Sequence, residues 1–439
     1  MPEANSPEPY EPWPAPTAAG GVHLSVRLPG SKSMTARALV LSALGDTAGT
    51  VTRPLRARDT VLMAAGLAAM GTGVDTTATR QWQVRPAPLR GPAHVDVGLA
   101  GTIMRFLPAV AGLADGPVTF AGDPAAHARP LGPLLDGLRS LGLRIDAAPG
   151  GGLPITVSGR GRIAGGEVTV DASKSSQFVS GLLLAAPRFD RGILVRHVGP
   201  PLPSAPHVRM TVRMLRAAGA TVDDVAAHTW RVEPGDLHGR DWPIEPDLSG
   251  ALPFFAAALV TGGTVTLRDL PVESAQPVAQ LIGLIERLGG QATAGPDGLT
   301  VRGTGTIHGI DADLRDVSEL TPVLAALAAL ADAPSRLTGV AHIRGHETDR
   351  IAALAAELGG LGAEVTELPD GLQIDPKPLH GGPFRTYDDH RMAHAAAVLG
   401  LAVPGITLTD VACTSKTLPE FPALWSTMAA DAGAGEARR

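Results

Sequence analysis

The sequence predicts an α/β protein of two domains. Each domain is an inside-out α/β barrel of three βαβαββ repeat units, with buried helices and outward-facing sheets. Three recurring signals predict it, each with a period of about 70 residues. An Ala/Leu-rich stretch begins at Arg37 (RALVLSAL), Arg105 (RFLPAVAGL), Gln177 (QFVSGLLLAA), Gly250 (GALPFFAAALV), Leu320 (LTPVLAALAAL) and Arg391 (RMAHAAAVLGLA). A short β-like segment follows each one, at Gly49, Gly116, Gly192, Gly263, Ser335 and Gly405. Gly71, Gly142, Gly219, Gly289 and Gly362 then sit between a helical pattern and a strand, where a left-handed helix C-cap is expected.

Each unit therefore reads as strand, helix, strand, helix, strand, strand. Its first helix is apolar nearly all round, as LTPVLAALAAL shows. Such a helix is buried, so the sheets must cover it from outside. Six buried helices exceed one compact core, and three plus three is the economical division. The break falls near Glu245–Pro246. Residues 31–245 form one domain. Residues 21–30 and 246–430 form the other, which is discontinuous. The sixth copy of the glycine signal is missing, because the chain ends. Residues 1–20 are proline-rich and lack the apolar run of a signal peptide. They are expected to be a disordered tail, as are residues 431–439.

Composition narrows the function. The chain has 439 residues and a net charge of −6, without the basic excess of a nucleic-acid binder. One cysteine, Cys413, excludes a disulfide framework and a cysteine-built zinc site. No apolar run approaches a membrane span. A cytoplasmic protein without metal or cofactor is expected.

The chemistry gathers at helix starts. Gly30-Ser31-Lys32-Ser33, followed by Arg37, offers N–H groups, hydroxyls and an ammonium at the positive end of a helix. That is an anion site. A nucleotide P-loop is not expected, because Ser25 stands where its first glycine belongs. Ala100-Gly101-Thr102 with Arg105 repeats the arrangement, as does Ser175-Ser176-Gln177. Arg129, His207-Val208-Arg209 and His346-Glu347-Thr348-Asp349-Arg350 stand at the starts of second helices. Tyr387-Asp388-Asp389-His390-Arg391 precedes the sixth apolar helix. Helix starts ordinarily favour acids. Cations repeated there predict a highly anionic ligand. Glu319 and Glu347 lie among them, where each can serve as a structural salt-bridge partner or as a carboxylate that moves protons. The pair His390/His394 forms no metal motif.

Together these residues resemble the 5-enolpyruvylshikimate-3-phosphate synthase family. The resemblance runs from about residue 24 to 427. It rests on LPGSKSMTARALVLSAL from Leu28, AGTIMR from Ala100, RPL from Arg129 and SSQF from Ser175. HETDR from His346, DDHRMA from Asp388 and CTSKTLPEF from Cys413 complete it. It implies the two-domain fold above and transfer of the enolpyruvyl group of phosphoenolpyruvate to the 5-hydroxyl of shikimate 3-phosphate. It implies that Lys32, Ser33, Arg37, Ser175, Ser176, Gln177, Ser204, Glu319 and His346 hold shikimate 3-phosphate. Lys32, Gly101, Arg129, Gln177, Arg350, Arg391 and Lys416 would surround phosphoenolpyruvate. Lys32, Glu319 and Glu347 would be catalytic. The implied partners are these two small molecules, and the implied state is a monomer. The related UDP-N-acetylglucosamine enolpyruvyl transferases use a loop cysteine, and Asp115 to Arg129 has none. Departures from the common pattern are Glu319 for Asp, His346 for Lys, His207 for Tyr, Leu99 for Asn and Phe106 for Pro.

Overall fold

The computed structural model describes residues 11–432. Each repeat contributes two helices. The first are α1 (Lys32–Ala43), α3 (Gly101–Ala111), α5 (Gln177–Ala185), α7 (Leu248–Thr261), α9 (Thr321–Ala329) and α11 (His390–Gly400). The second are α2 (Arg58–Ala69), α4 (Gly132–Ser140), α6 (Ala205–Ala217), α8 (Val278–Arg287), α10 (Arg350–Gly360) and α12 (Phe421–Asp431). The odd-numbered helices are the apolar stretches of the sequence, and they are buried along nearly their whole length. The even-numbered ones keep a polar face toward solvent, as amphipathic helices do.

Five four-stranded sheets and one three-stranded sheet enclose them. In each four-stranded sheet the first two strands run parallel and a hairpin adds antiparallel to the second. Ala93–Asp96, Asp115–Ala121, Ile155–Arg160 and Arg144–Ala147 lie side by side in that order. The five glycines between helix and strand all have positive φ, from 90° at Gly142 to 107° at Gly362. Apolar side chains form two buried clusters. One draws on residues from Met34 to Ile244. The other joins Ala15, Val22 and Val26 to residues from Leu248 to Ala432.

Two chain crossings exchange strands between the clusters. His23–Val26 lies parallel to Thr264–Arg268 of the second cluster. Asp241–Pro243 lies parallel to Gly49–Thr52 of the first. The crossings touch: Ser31 N–H donates to Glu245 O at 2.8 Å, and Asp247 N–H to Pro29 O at 3.0 Å. A side chain at Gly30 would collide with Arg53 O and Ile244, so only glycine fits there.

The expected tails need correction. Trp13–Pro14 is a strand, antiparallel to Ile406–Leu408. Ala15 N–H donates to Ile406 O at 2.9 Å, and Ala18 N–H to Leu401 O at 3.1 Å. The cause is the open edge of the sixth sheet. Among the described residues its two parallel strands, Gly382–Phe384 and Ile406–Leu408, have no hairpin after them, and the N-terminal segment takes the hairpin's place. Proline is tolerated at such an edge, where its missing N–H costs no ladder bond. At the other end α12 continues through Asp431, and Ala432 is buried. Residues 1–10 and 433–439 of the expected tails lie outside the described residues. Among the described residues no helix is long and apolar enough to cross a membrane.

Candidate functional site

All six odd-numbered helices begin at one cleft. Its wall takes Ser31, Lys32 and Ser33 from α1, Gly101, Thr102 and Arg105 from α3, and Ser175, Ser176 and Gln177 from α5. Asp247 to Ser249 at α7, Ser318 to Leu320 at α9, and His390 and Arg391 at α11 complete the ring. Six positive helix ends thus face one volume. The repeat explains this: every unit returns its chain to the same rim before starting its buried helix.

Cations add to that field. Lys32, Arg105, Arg129, Lys174, Arg350 and Arg391 all line the cleft. On the first cluster's side, Arg105 donates to Gln177 Oε1 at 3.3 Å, and Arg129 to Leu99 O at 2.6 Å. The Nε groups of both arginines are buried without a partner. Burial, reinforced by Arg129, pushes the Arg105 guanidinium down to about 9. Gly101 lies against them. A side chain there would meet Arg105, Arg129 and Gln177. Buried, under-satisfied donors aimed at one spot make a site for an anion.

Across the cleft, Arg350 is 2% exposed and pairs with Asp389 at 2.7 Å and Glu347 at 2.9 Å. Lys416 Nζ donates to the other Glu347 oxygen at 2.7 Å. Burial alone would raise the Glu347 carboxyl. The charges of Lys416, Arg350 and Arg129 outweigh it and hold the carboxyl well below its ordinary range. Burial and the charge of Arg350 keep His346 neutral, well below the usual imidazole range. His346 Nδ1 lies 3.1 Å from Arg350 Nη1.

The third wall lies where the clusters meet. Glu319 Oε1 is 3.4 Å from His207 Nε2. Burial lowers His207, partly offset by Glu319. Arg391 donates to Glu319 O at 3.1 Å and Ser249 Oγ at 3.0 Å. Ser204 Oγ, Ser318 Oγ and His342 Nε2 form a chain with steps of 3.2 and 2.8 Å. Lys32 Nζ rests on buried Asp59 at 3.1 Å, and its N–H donates to Asp247 at 3.3 Å.

Of the residues expected from sequence, Lys32, Ser33, Gly101, Arg129, Ser175, Ser176, Gln177, Ser204, Glu319, His346, Glu347, Arg350 and Arg391 stand together on the cleft wall. Lys416 reaches it through Glu347. Arg37 does not line it. Its guanidinium is buried behind the wall, donating to Thr211 Oγ1, Ser33 O, Ser180 Oγ and His207 O. There it ties α1, α5 and α6 together. Sequence reasoning placed Arg105 in a helix-start anion site without assigning it a substrate, considered His342 only in excluding a metal motif, and missed Asp59, Lys174 and Asp247. Lys174 adjoins Ser175 and was open to the same argument. The two acids gave no anion-site signal, because they act by holding Lys32. Among the described residues no group of three or more His, Cys, Asp or Glu gathers as metal ligands would.

Comparison with known proteins agrees with this geometry. The family model described as EPSP synthase (3-phosphoshikimate 1-carboxyvinyltransferase) matches residues 17–425. The chain is 51% identical over 427 residues to the 3-phosphoshikimate 1-carboxyvinyltransferase of Mycobacterium ulcerans (strain Agy99). That alignment covers 95% of this chain and 98% of the relative. The solved EPSP synthase from Acinetobacter baumannii superposes with a TM-score of 0.79 at 24% identity, covering 96% of this chain and 98% of that one. The enolpyruvyl transferase NikO from Streptomyces tendae does so with 0.75 at 19% identity, covering 95% and 97%. These two likenesses show the shared two-domain, inside-out α/β fold. The chain belongs to the EPSP synthase family.

Proposed function

We propose that the cleft transfers the enolpyruvyl group of phosphoenolpyruvate to the 5-hydroxyl of shikimate 3-phosphate and releases phosphate. One observation carries this reading: six helix starts and six lining cations converge on a cleft whose four carboxylates include Glu319 and Glu347, beside Asp59 and Asp247, which touch Lys32. Two phosphates of about −1.5 to −2 each and two carboxylates bring roughly five to six negative charges together. Few other small-molecule pairs call for so much fixed positive charge.

In this reading Ser175, Ser176, Gln177 and Ser204 hold the 3-phosphate of shikimate 3-phosphate. Lys32, Ser33 and His346 hold the rest of it, and Arg37 keeps Ser33 in place from behind. Arg129, Arg350, Arg391 and Lys416 surround phosphoenolpyruvate beside Gly101 and Gln177. Arg105, with its free Nε, joins them. The hydroxyl oxygen attacks the phosphate-bearing carbon of phosphoenolpyruvate while Glu319 takes the hydroxyl proton. Glu347 gives a proton to the methylene carbon, which becomes a methyl. The tetrahedral adduct then breaks its bond to the phosphate oxygen. Glu347 takes back a methyl proton, and Lys32 meets the departing phosphate. Fixed cations act here as electrostatic stabilisation that needs no reorganisation.

The low position of Glu347 fits this sequence. In the free cleft its carboxylate is held by Lys416 and Arg350. Bound phosphoenolpyruvate competes for those cations, which lets Glu347 rise and carry a proton. The two buried clusters are read as the two domains, 31–245 and 21–30 with 246–430, closing on their ligands about the paired crossings. A monomeric, cytoplasmic enzyme completes the reading.

Phosphate release from phosphoenolpyruvate tests it, with shikimate 3-phosphate and UDP-N-acetylglucosamine offered separately. Release is expected with shikimate 3-phosphate alone. Release with the sugar nucleotide only, or with neither acceptor, refutes the reading.

A further inference from the structure

The turn leading into α11 is strained, and one helix holds it at two points. Tyr387 and Asp388 are consecutive non-glycine residues with φ of 54° and 55°, in the left-handed region. Arg350 and Glu357 stand two turns apart on one face of α10. Arg350 grips the near end of the turn, donating to both oxygens of the buried Asp389 at 2.7 and 3.1 Å. Glu357 grips the far end. Its Oε1 accepts the Tyr387 hydroxyl at 2.5 Å, and its Oε2 accepts the Arg385 N–H at 2.9 Å. Asp389 also caps α11, accepting from the Arg391 N–H at 2.9 Å. Asp389 thus fixes Arg350 through its side chain and the start of Arg391 through its cap.

We propose that Glu357 and Tyr387 are positioning residues for the phosphoenolpyruvate half of the cleft. They hold the strained turn, and the turn aims Asp389, Arg350 and Arg391. This rests on the reading above, in which Arg350 and Arg391 bind phosphoenolpyruvate. Asp tolerates left-handed φ, but at a bulky residue such as Tyr387 it persists only where surroundings impose it. Without the hydroxyl bond the pair relaxes toward ordinary backbone, and Asp389 shifts with it. Arg350 then loses part of its buried counterion and is drawn further onto Glu347. The serines that face the 3-phosphate of shikimate 3-phosphate stand on other elements and are not disturbed; of its other contacts only His346, beside Arg350, and Glu319, whose carbonyl accepts from Arg391, adjoin the arginines that shift.

Steady-state kinetics of the full-length chain separate the possibilities, with both substrates varied. Tyr387→Phe is expected to raise KM for phosphoenolpyruvate about tenfold, the effect of losing a hydrogen bond to a charged group. KM for shikimate 3-phosphate is expected to stay within about twofold. Glu357→Gln can still accept the Arg385 N–H and donate to the Tyr387 oxygen, so it is expected to keep most of the affinity that Glu357→Ala loses. Thermal unfolding of the same preparations reports on folding, and the Tyr387→Phe and Glu357→Gln pair suffices if Glu357→Ala is unstable. Equal changes in both KM values, or a lowered melting temperature with unchanged KM values, would overturn the proposal. Wild-type turnover is the control. If it is absent with shikimate 3-phosphate, the functional reading fails and the inference falls with it. If it is present and the KM ratio does not move, only the inference fails.

Discussion

Glu347 shows how individual side chains are tuned here. It is largely enclosed, yet three cations, Lys416, Arg350 and Arg129, keep it ionised. Lys416 makes its shortest contact, at 2.7 Å. Replacing that ammonium removes a large part of the field while burial remains. In Lys416→Met the Glu347 carboxyl should therefore titrate at clearly higher pH than in the wild type. Carbon-13 NMR or infrared spectroscopy of the carboxylate can follow it. An unchanged titration would mean that Arg350 alone sets the ionisation. The pairing of Glu319 with His207 was not legible in the sequence. Each looked like a separate departure from the common pattern, Asp to Glu and Tyr to His. The structure places them 3.4 Å apart, on α6 and the start of α9, where only tertiary packing brings them together.

At the scale of elements, the buried helices were the most legible feature. Their residues are apolar on every side, and no other placement suits such a helix. The N-terminal strand was illegible for the opposite reason. Trp13–Pro14 is two residues long and proline-flanked, and its partner lies at Ile406–Leu408. Composition sees only the prolines, while the strand exists because, among the described residues, the sixth sheet lacks a hairpin. This gives the segment a specific task. Removing residues 1–15 should expose the sheet that backs α11 and uncover the surface Ala15 buries. A loss of about 2 kcal/mol is expected from the apolar area and the lost pairing, lowering the melting temperature by roughly 4–8 °C. Calorimetry of the truncated chain checks this. An unchanged transition would show that the strand adds nothing to the fold. A repeat signal at this scale also went unread. His238, His308 and His380 each return an N–H to the end of the preceding helix, at Ala218, Leu288 and Leu361. Three histidines at equivalent positions mark the same seam, although their spacing alone suggests no chemistry.

The whole molecule concentrates polar groups where its two clusters meet. Burial depresses His342 to about 4 and His394 to about 3, and lowers His207, His346 and His390 as well. These rings are neutral in the folded protein but take up protons near pH 6.5 once unfolded. Below pH 6.5 the unfolded chain binds more protons, so stability falls as pH falls. The loss continues to about pH 4 for the partly buried His342 and about pH 3 for the fully buried His394, at up to about 1.4 kcal/mol per pH unit for each ring. The melting temperature should therefore drop steadily from pH 7 to pH 5, and His394→Met should lessen the slope. A flat profile would contradict the burial of these rings. Their neutrality also leaves the arginines, lysines and helix starts as the main sources of positive charge in the cleft. In the proposed reaction those sources support addition and elimination across the seam, and Glu347 is the group proposed to move the carbon-bound proton. One measurement tests that claim most directly: turnover of phosphoenolpyruvate with shikimate 3-phosphate in heavy water, followed by NMR. The account predicts phosphate, an enolpyruvyl ether at the 5-oxygen, and deuterium in its methylene group, because that carbon passes through a methyl. An ether free of deuterium, or no ether at all, would contradict it.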